Sequence, residues 1–597
     1  MRRTPLTTPL ARAFAALLTV SLVAVACGSD DDASSPDDSE SADDSESVDD
    51  ATDDDTAQSD GDESDSAEAD AGDEASDGDS TGGGDTNGSG AIADEVVIAI
   101  GSEQGSLNPY TYSDGEGLLL LTLVHDTLLG LDAQNQPVPL LAEEWSVSDD
   151  GLQWDLTLRD DITWHDGEPF DAEDVAFTFD YVTQDANAHP LWTPGVAPVE
   201  SVEVVSPTNA VINLTSANAD FAVRPLASMP ILAEHVWADI ADPQNATVDA
   251  SIGTGAYQLA SYDTDQAYTL TAYGDYALGT PLAETVVLAI IPEASTSFAA
   301  LRAGEVDIVS AILEPQLVGD FEADPAFGVS QGAGYRSTLM QMNNERPPFD
   351  DPEVRRAIGL AIDPQELIDS VLLGQGTAPN PGFLHPDGPL TVATPEHVFD
   401  PAAAAEILDG LGAEPGDDGI RVLDGEPMRF EFLAPSDNPA AIRTAEIIRE
   451  QLAVVGIDAE VDVLDSTLLF EQVWPEFDVS NGRDYDMAMG GWSPPVQLDA
   501  ARFGALLHSD TSIGTFNLSG LNDPDIDALV DAMNAEGDPA ARDEIIAEIE
   551  TAIAEIRPFV NLYYQDGAFA YRSEAFDEWV YQDGLGPIGR ISLVADG

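Results

Sequence analysis

The chain has 597 residues, of which 113 are Asp or Glu against 20 basic residues, for a formal charge of -93. All 20 bases are arginine; with no lysine the surface offers little grip on nucleic-acid phosphate or on anionic lipid headgroups. Such a surface stays soluble and repels its own copies, which favours a monomer, and a saline habitat or a lysine-poor genome accounts for the bulk charge.

Residues 1–27 read as an export signal. Arg2 and Arg3 precede an apolar, small-residue run at 10–26 that ends on Cys27, the only cysteine. A positive start, a short apolar run and small residues before a cut mark a secretory signal, and the run falls short of the ~20 residues a membrane span needs. A lone cysteine at the cut resembles a bacterial lipoprotein signal, with one departure: Ala24 stands three residues before it, where leucine is usual. The resemblance implies an acylated Cys27 and a protein anchored by lipid outside the cytoplasm, in the periplasm or on the outer face of the cytoplasmic membrane. An ordinary signal with an incidental cysteine is the alternative. Residues 28–93 form an acidic linker, with about 25 acids and no base before residue 90. That composition cannot bury a core, and its like charges extend it. Its acidic repeats lack the spacing of a calcium loop, so neither a metal nor a cofactor is expected.

From residue 96 a foldable pattern begins. Residues 96–100 read as a buried strand, followed by a loop with Asn108, Tyr110 and Tyr112. Residues 118–129 suit a helix. Residues 152–159 alternate apolar and polar like a half-buried strand, then His165-Asp166-Gly167 turns the chain. Asp171 stands as the N-cap of a helix with Glu173 and Asp174 in its first turn. Strands at 202–214 and 286–291, helices at 295–303, 355–361, 364–372, 402–408 and 440–455, strands at 459–463 and 487–489, helices at 525–533 and 542–556 and a strand at 560–564 follow. Helices and strands alternate throughout, an α/β architecture, with about 500 residues available for a core.

The ordered motifs resemble family 5 of the extracellular solute-binding proteins, the dipeptide, oligopeptide and nickel receptors of ABC importers. The residues that carry the resemblance are Trp164-His165-Asp166-Gly167-Glu168-Pro169-Phe170-Asp171-Ala172-Glu173-Asp174-Val175, Gly253-Thr254-Gly255-Ala256-Tyr257 and Leu301-Arg302-Ala303-Gly304-Glu305-Val306-Asp307. Later come Pro348-Phe349-Asp350-Asp351-Pro352, Ala361-Ile362-Asp363-Pro364 and Gly490-Gly491-Trp492. The resemblance spans about 95–590. It implies a two-lobe periplasmic-binding-protein-like fold (type II, cluster C) with a ligand cleft between the lobes. Lobe one is expected at 94–312 plus 562–597 and lobe two at 313–561, closing by a hinge.

Catalysis is not expected. His165 beside Asp166 looks like an acid–base pair, but the resemblance makes that turn structural. The chain has no H-E-x-x-H, no nucleophile elbow and no phosphate loop. Arg355 and Arg356 read as capping and ion-paired residues. The resemblance assigns Gly491, Trp492 and Ser493 to the cleft wall. In the peptide receptors a carboxylate three residues after this tryptophan pairs with the peptide amine; here Pro495 stands there, and Asp499 is the candidate substitute. Asn108, Tyr110 and Tyr112 sit at the carboxyl end of the first strand, where α/β proteins gather ligands. Tyr335 and Arg336 lie near the crossover, and Arg336 suits a solute carboxylate or a surface ion pair.

The sequence therefore predicts a non-enzymatic solute receptor for peptides or peptide-like solutes that delivers to an ABC permease complex. A receptor for an oligosaccharide or other neutral solute is the alternative that Pro495 favours. A secreted hydrolase and a sensory receptor docking on a membrane kinase are the rivals of other classes.

Overall fold

The computed structural model describes residues 93–595 apart from 103–106, 111–114, 185–186, 188, 190–191, 244–245, 247–250 and 393–396. Cys27, nearly all of the acidic linker and Tyr112 lie outside the described residues.

The strand Ala93–Ile100 is central to a seven-stranded sheet, parallel to Ala283–Ile290 on one side and to Ile308–Val309 on the other. A strand covered on both faces reads as a continuous apolar run, and Val96, Ile98, Ala99 and Ile100 are all buried. Phe327–Gly332 and Gly567–Arg572 close one end of this sheet, and Ala267–Ala272 and Tyr257–Asp263 close the other. A four-stranded antiparallel sheet (Ala142–Val147, Gln153–Leu158, Asn209–Leu214, Val199–Ser206) completes lobe one. Its strand Gln153–Leu158 alternates exposed and buried, as the sequence predicts. The helix Ala172–Val182 starts in a capping box: Asp171 accepts from Glu173 N at 2.9 Å and Asp174 accepts from Asp171 N at 3.2 Å. His165 spends both ring nitrogens on a neighbouring turn, accepting from Gly253 N at 3.2 Å and donating to Gly255 O at 2.9 Å. Two motifs far apart in sequence are thereby pinned together, and no proton-transfer role is left for the ring.

Lobe two holds a six-stranded sheet in the order Gly376–Thr377, Phe559–Gln565, Ser337–Met342, Met487–Trp492, Arg429–Pro435, Asp458–Leu464. Alternate side chains feed opposite faces. Met340, Met342, Met487, Met489 and Phe432 face the helices Pro352–Leu360, Pro364–Val371 and Pro439–Val454. Leu339, Ala488 and Leu433 face a second layer with Pro524–Ala535 and Pro539–Ile556. The helices share one way of starting: an Asp or Asn N-cap followed by proline, at Asp351, Asp363, Asp400, Asn438, Asp523 and Asp538. The side chain takes an orphan backbone N–H, and proline fills the position that needs none, at about 1 kcal/mol per cap. Arg355 is buried and donates to Ile556 O at 2.9 Å, Arg557 O at 3.0 Å and Phe349 O at 2.7 Å, so it caps the end of Pro539–Ile556.

The chain crosses between the sheets twice. Gly332 pairs with Gly567 in the first sheet, and Ser337 pairs with Tyr564 in the second. Residues 333–336 and 565–566 are therefore the crossings, and a side chain on Gly334 would overlap the Gln565 carbonyl oxygen. The expected boundaries at 312 and 562 move to these positions. The helix Pro315–Glu322 and the strand Phe327–Gly332 pack onto lobe one, with Val318 and Phe321 against Ala568 and Ala570. The strand Phe559–Gln565 stays in lobe two to its last residue.

Glu550 is fully buried on Pro539–Ile556 and accepts from Phe383 N at 2.9 Å. Burial pushes its pKa up to about 7, against the opposing pull of the Phe383 and Leu384 backbone N–H groups. An acid whose folded value is raised binds its proton more tightly in the folded state, so its contribution falls as pH rises from about 4.5 to about 7. Glu550→Gln is expected to remove roughly 3 kcal/mol of pH-dependent stability across that window. Urea unfolding at pH 5 and pH 8 checks this; equal pH slopes in the two proteins would refute it.

Candidate functional site

The expected cleft residues gather where the strands Ser337–Met342 and Met487–Trp492 end, beside the first crossing. Ser337 faces Trp492 in register, and Trp492 N donates to Ser337 Oγ at 3.1 Å. The Trp492 ring is buried in lobe two, 4.9 Å from Phe516 and 6.0 Å from Trp474 between ring centroids. It is a core residue in this conformation, not an open stacking platform. Gly491 is exposed, and its lack of a side chain has a local cause: a Cβ would overlap the Ser337 carbonyl oxygen across the strand pair. Ser493 is half-exposed, and Pro495 opens the short helix Pro495–Leu498.

Asp499 is buried and already committed. It caps the helix Ala500–Ala505, accepting from Ala501 N at 2.9 Å and Arg502 N at 3.3 Å. Its carboxylate also forms an ion pair with Arg224 of lobe one and lies 3.5 Å from Arg502 Nε. Burial pushes Arg224 down to about 9, with Arg502 adding repulsion, and burial pushes Arg502 to about 10. The expected role of Asp499 as a substitute amine partner is corrected accordingly: two guanidinium groups and two backbone donors occupy it. A second ion pair between the lobes joins Asp220 to Arg542. Both pairs use the lobe-one segment 220–224, and sequence reasoning singled out none of Asp220, Arg224, Arg502 or Arg542. Arginine scarcity was the available signal.

The other candidates separate. Asn108 is buried, donating to Pro243 O at 2.7 Å and accepting from Tyr110 N at 3.0 Å. Tyr110 is buried among Tyr181, His189, Trp192 and Trp237, with centroids 5.3–6.0 Å away. Both belong to the interior of lobe one rather than to a cleft wall, because the loop folds back onto the aromatic cluster. Tyr335 is buried at the crossing and donates to Asp387 O at 3.1 Å. Arg336, next to it, is exposed. Among the described residues no three His, Cys, Asp or Glu side chains are placed to hold a metal ion, and no helix is long and apolar enough to cross a membrane.

Residues 136–513 match the family described as bacterial extracellular solute-binding proteins, family 5. The chain belongs to that family. It is 26% identical over 377 residues to the nickel-binding periplasmic protein of Escherichia coli K12, covering 62% of this chain and 71% of that one. It is 25% identical over 458 residues to a putative ABC transporter peptide-binding protein of Brucella ovis, covering 76% and 84%. The oligopeptide-binding protein AppA of Bacillus subtilis, solved with a nonapeptide, superposes with a TM-score of 0.66 at 21% identity over 85% of this chain and 99% of that one. The two-lobe family 5 fold is thus established, and the family is one of binding proteins rather than enzymes.

Two outcomes follow from this geometry. Trp492→Ala is expected to cost roughly 3–5 kcal/mol of stability, read by urea unfolding; a loss under about 1 kcal/mol would return the ring to the cleft surface. Asp499→Ala leaves Arg224 and Arg502 facing each other without their carboxylate, so the lobes should part. Solution scattering should then show a larger radius of gyration than the parent, and an unchanged value would contradict the role of this pair in holding the lobes together.

Proposed function

We propose that this chain is the extracytoplasmic receptor of an ABC importer, tethered through lipid on Cys27. It takes peptides or peptide-like solutes between its lobes and presents them to a membrane permease. The observation that carries the reading is the double crossing at 333–336 and 565–566, which joins two otherwise separate sheets in a family 5 chain. Closing two lobes over a solute needs such a narrow joint. The peptide class is supported by the peptide-binding relatives and by the nonapeptide bound to AppA.

We infer that a peptide's free amine is not held at positions 495 or 499. Pro495 carries no charge and Asp499 is consumed by arginines, so a free amino terminus finds no carboxylate at either position. A thermal-shift series with oligopeptides, their N-acetylated forms and neutral oligosaccharides tests the reading, since a bound solute raises the melting temperature by mass action. Peptides should raise it, and acetylation should change little. A rise with oligosaccharides alone would overturn the peptide class. Cys27→Ser should move the protein from the membrane fraction to the soluble one; retention in the membrane would refute the lipid tether.

A further inference from the structure

We propose that ionic strength controls closure of the lobes. The net charge of the lobes drives them apart, and salt lets them meet at a seam of Gly151 and Ala217 on lobe one and Gly537 on lobe two. The inference goes beyond the receptor reading and does not depend on the solute class, since it concerns the protein without a solute.

Charge is the first ground. With the crossings at 333–336 and 565–566, lobe one (94–332 and 567–597) holds 44 acids against 5 arginines, a net charge of -39. Lobe two (337–564) holds 43 acids against 11 arginines, a net charge of -32. Two joined bodies of the same sign repel, and the repulsion grows as they approach. Like charges also face each other across the lobes at named places. Burial first, then Asp387 of lobe two and Asp132, hold the Asp583 carboxyl above the usual carboxylate range. Burial likewise raises the Asp543 carboxyl of lobe two; Arg542 opposes the rise and Asp220 of lobe one adds to it.

The seam is the second ground. Away from the crossings, the segment 217–224 of lobe one meets lobe two. Asp220 pairs with Arg542 and Arg224 with Asp499. Beside these pairs the two backbones come close: a Cβ on Gly537 would overlap the Ala217 methyl group, and one on Gly151 would lie 3.0 Å from it. Small residues bury little apolar area, so this strip adds little attraction of its own. Salt then acts on two opposing terms. Among the described acids only Asp126, Asp174, Asp307, Asp499 and Glu550 are buried, so most of the repelling charge faces water. There the Debye length falls from about 30 Å at 0.01 M to about 3 Å at 1 M. The two pairs are screened far less, because Asp499 and Arg542 are buried and Asp220 and Arg224 are half-buried. Added salt therefore removes the repulsion and leaves the pairs, which favours the closed arrangement.

The test compares the mature protein with its Gly537→Leu variant, both without solute, by solution scattering in sodium chloride from about 0.01 M to about 1 M. Gly537 has no positive φ, so leucine suits the backbone of lobe two while its side chain wedges the seam open against Ala217. Ala217→Leu places the wedge on the other lobe and serves if the first variant does not fold. The residues before 93 are the same in all three proteins, so the difference between parent and variant reads the lobes. At about 0.01 M the radii of gyration should agree. As salt rises the parent's radius should fall below the variant's, and the gap should widen up to about 1 M. A gap of constant size, a gap that shrinks with salt or no gap at any salt overturns the proposal. Circular dichroism is recorded on the same samples. Loss of the parent's helical signal at low salt would show that salt acts on folding rather than on the seam, and would also overturn it.

Discussion

Among the described residues, two short segments passing side by side are the covalent route between the two main sheets. They cross so closely that Gly334 has no room for a side chain beside Gln565. The other features of the site depend on this joint. It sets Tyr335 and Ser337 into the interior on either side of Arg336, and it lines up the ends of the strands that carry Gly491 and Ser493. A third segment braces it, since Gly584 N donates to Ala333 O at 2.8 Å. Movement of one lobe on the other must pass through a few backbone torsions here, because Gly332 and Gly567 on one side and Ser337, Tyr564 and Gln565 on the other are already held in ladders.

The excess of acid constrains the rest. Acids earn their place at helix starts, where Asp side chains satisfy backbone donors that would otherwise need water. Arginines are few, and several are set where separate pieces meet. Arg355 joins two helices of lobe two through backbone carbonyls, Arg572 ties Asp307 across strands of lobe one at 3.0 Å, and Arg224 and Arg542 reach between the lobes. Removing one partner of such a pair strands a charge in a low-dielectric place, which costs more than the pair contributes. That asymmetry makes the paired arginines structural bolts.

Much of the fold was legible because the local signals agreed with it. The alternation of 153–158, the Asp171 cap and the apolar period of the lobe-two helices each named their element from a few residues, although the proline starts of those helices went unread. The strand Phe327–Gly332 escaped notice because Phe327 and Val329 are only half-buried and two glycines interrupt its pattern, so the first crossing was placed too early. The site was less legible, for a physical reason. Gly490-Gly491-Trp492 looked like a binding loop, but a glycine needed for strand approach and a glycine needed for a ligand look alike in sequence. Asp499 looked free because its partner Arg224 is 275 positions away and on the other lobe. Arg336 could be flagged from its type and position, but whether it is paired could not be read until the acids around it had been located.

The two ion pairs between the lobes bear on how a solute could shift them. A solute shifts an equilibrium between open and closed forms only by binding one of them more tightly. Asp220–Arg542 and Arg224–Asp499 join the lobes with no solute present, so they favour this arrangement whether or not one is bound. They cannot select a solute, since neither pair leaves a group free for one. Selection then falls to groups that the two pairs leave uncommitted, because a pair that holds without a solute cannot distinguish one solute from another.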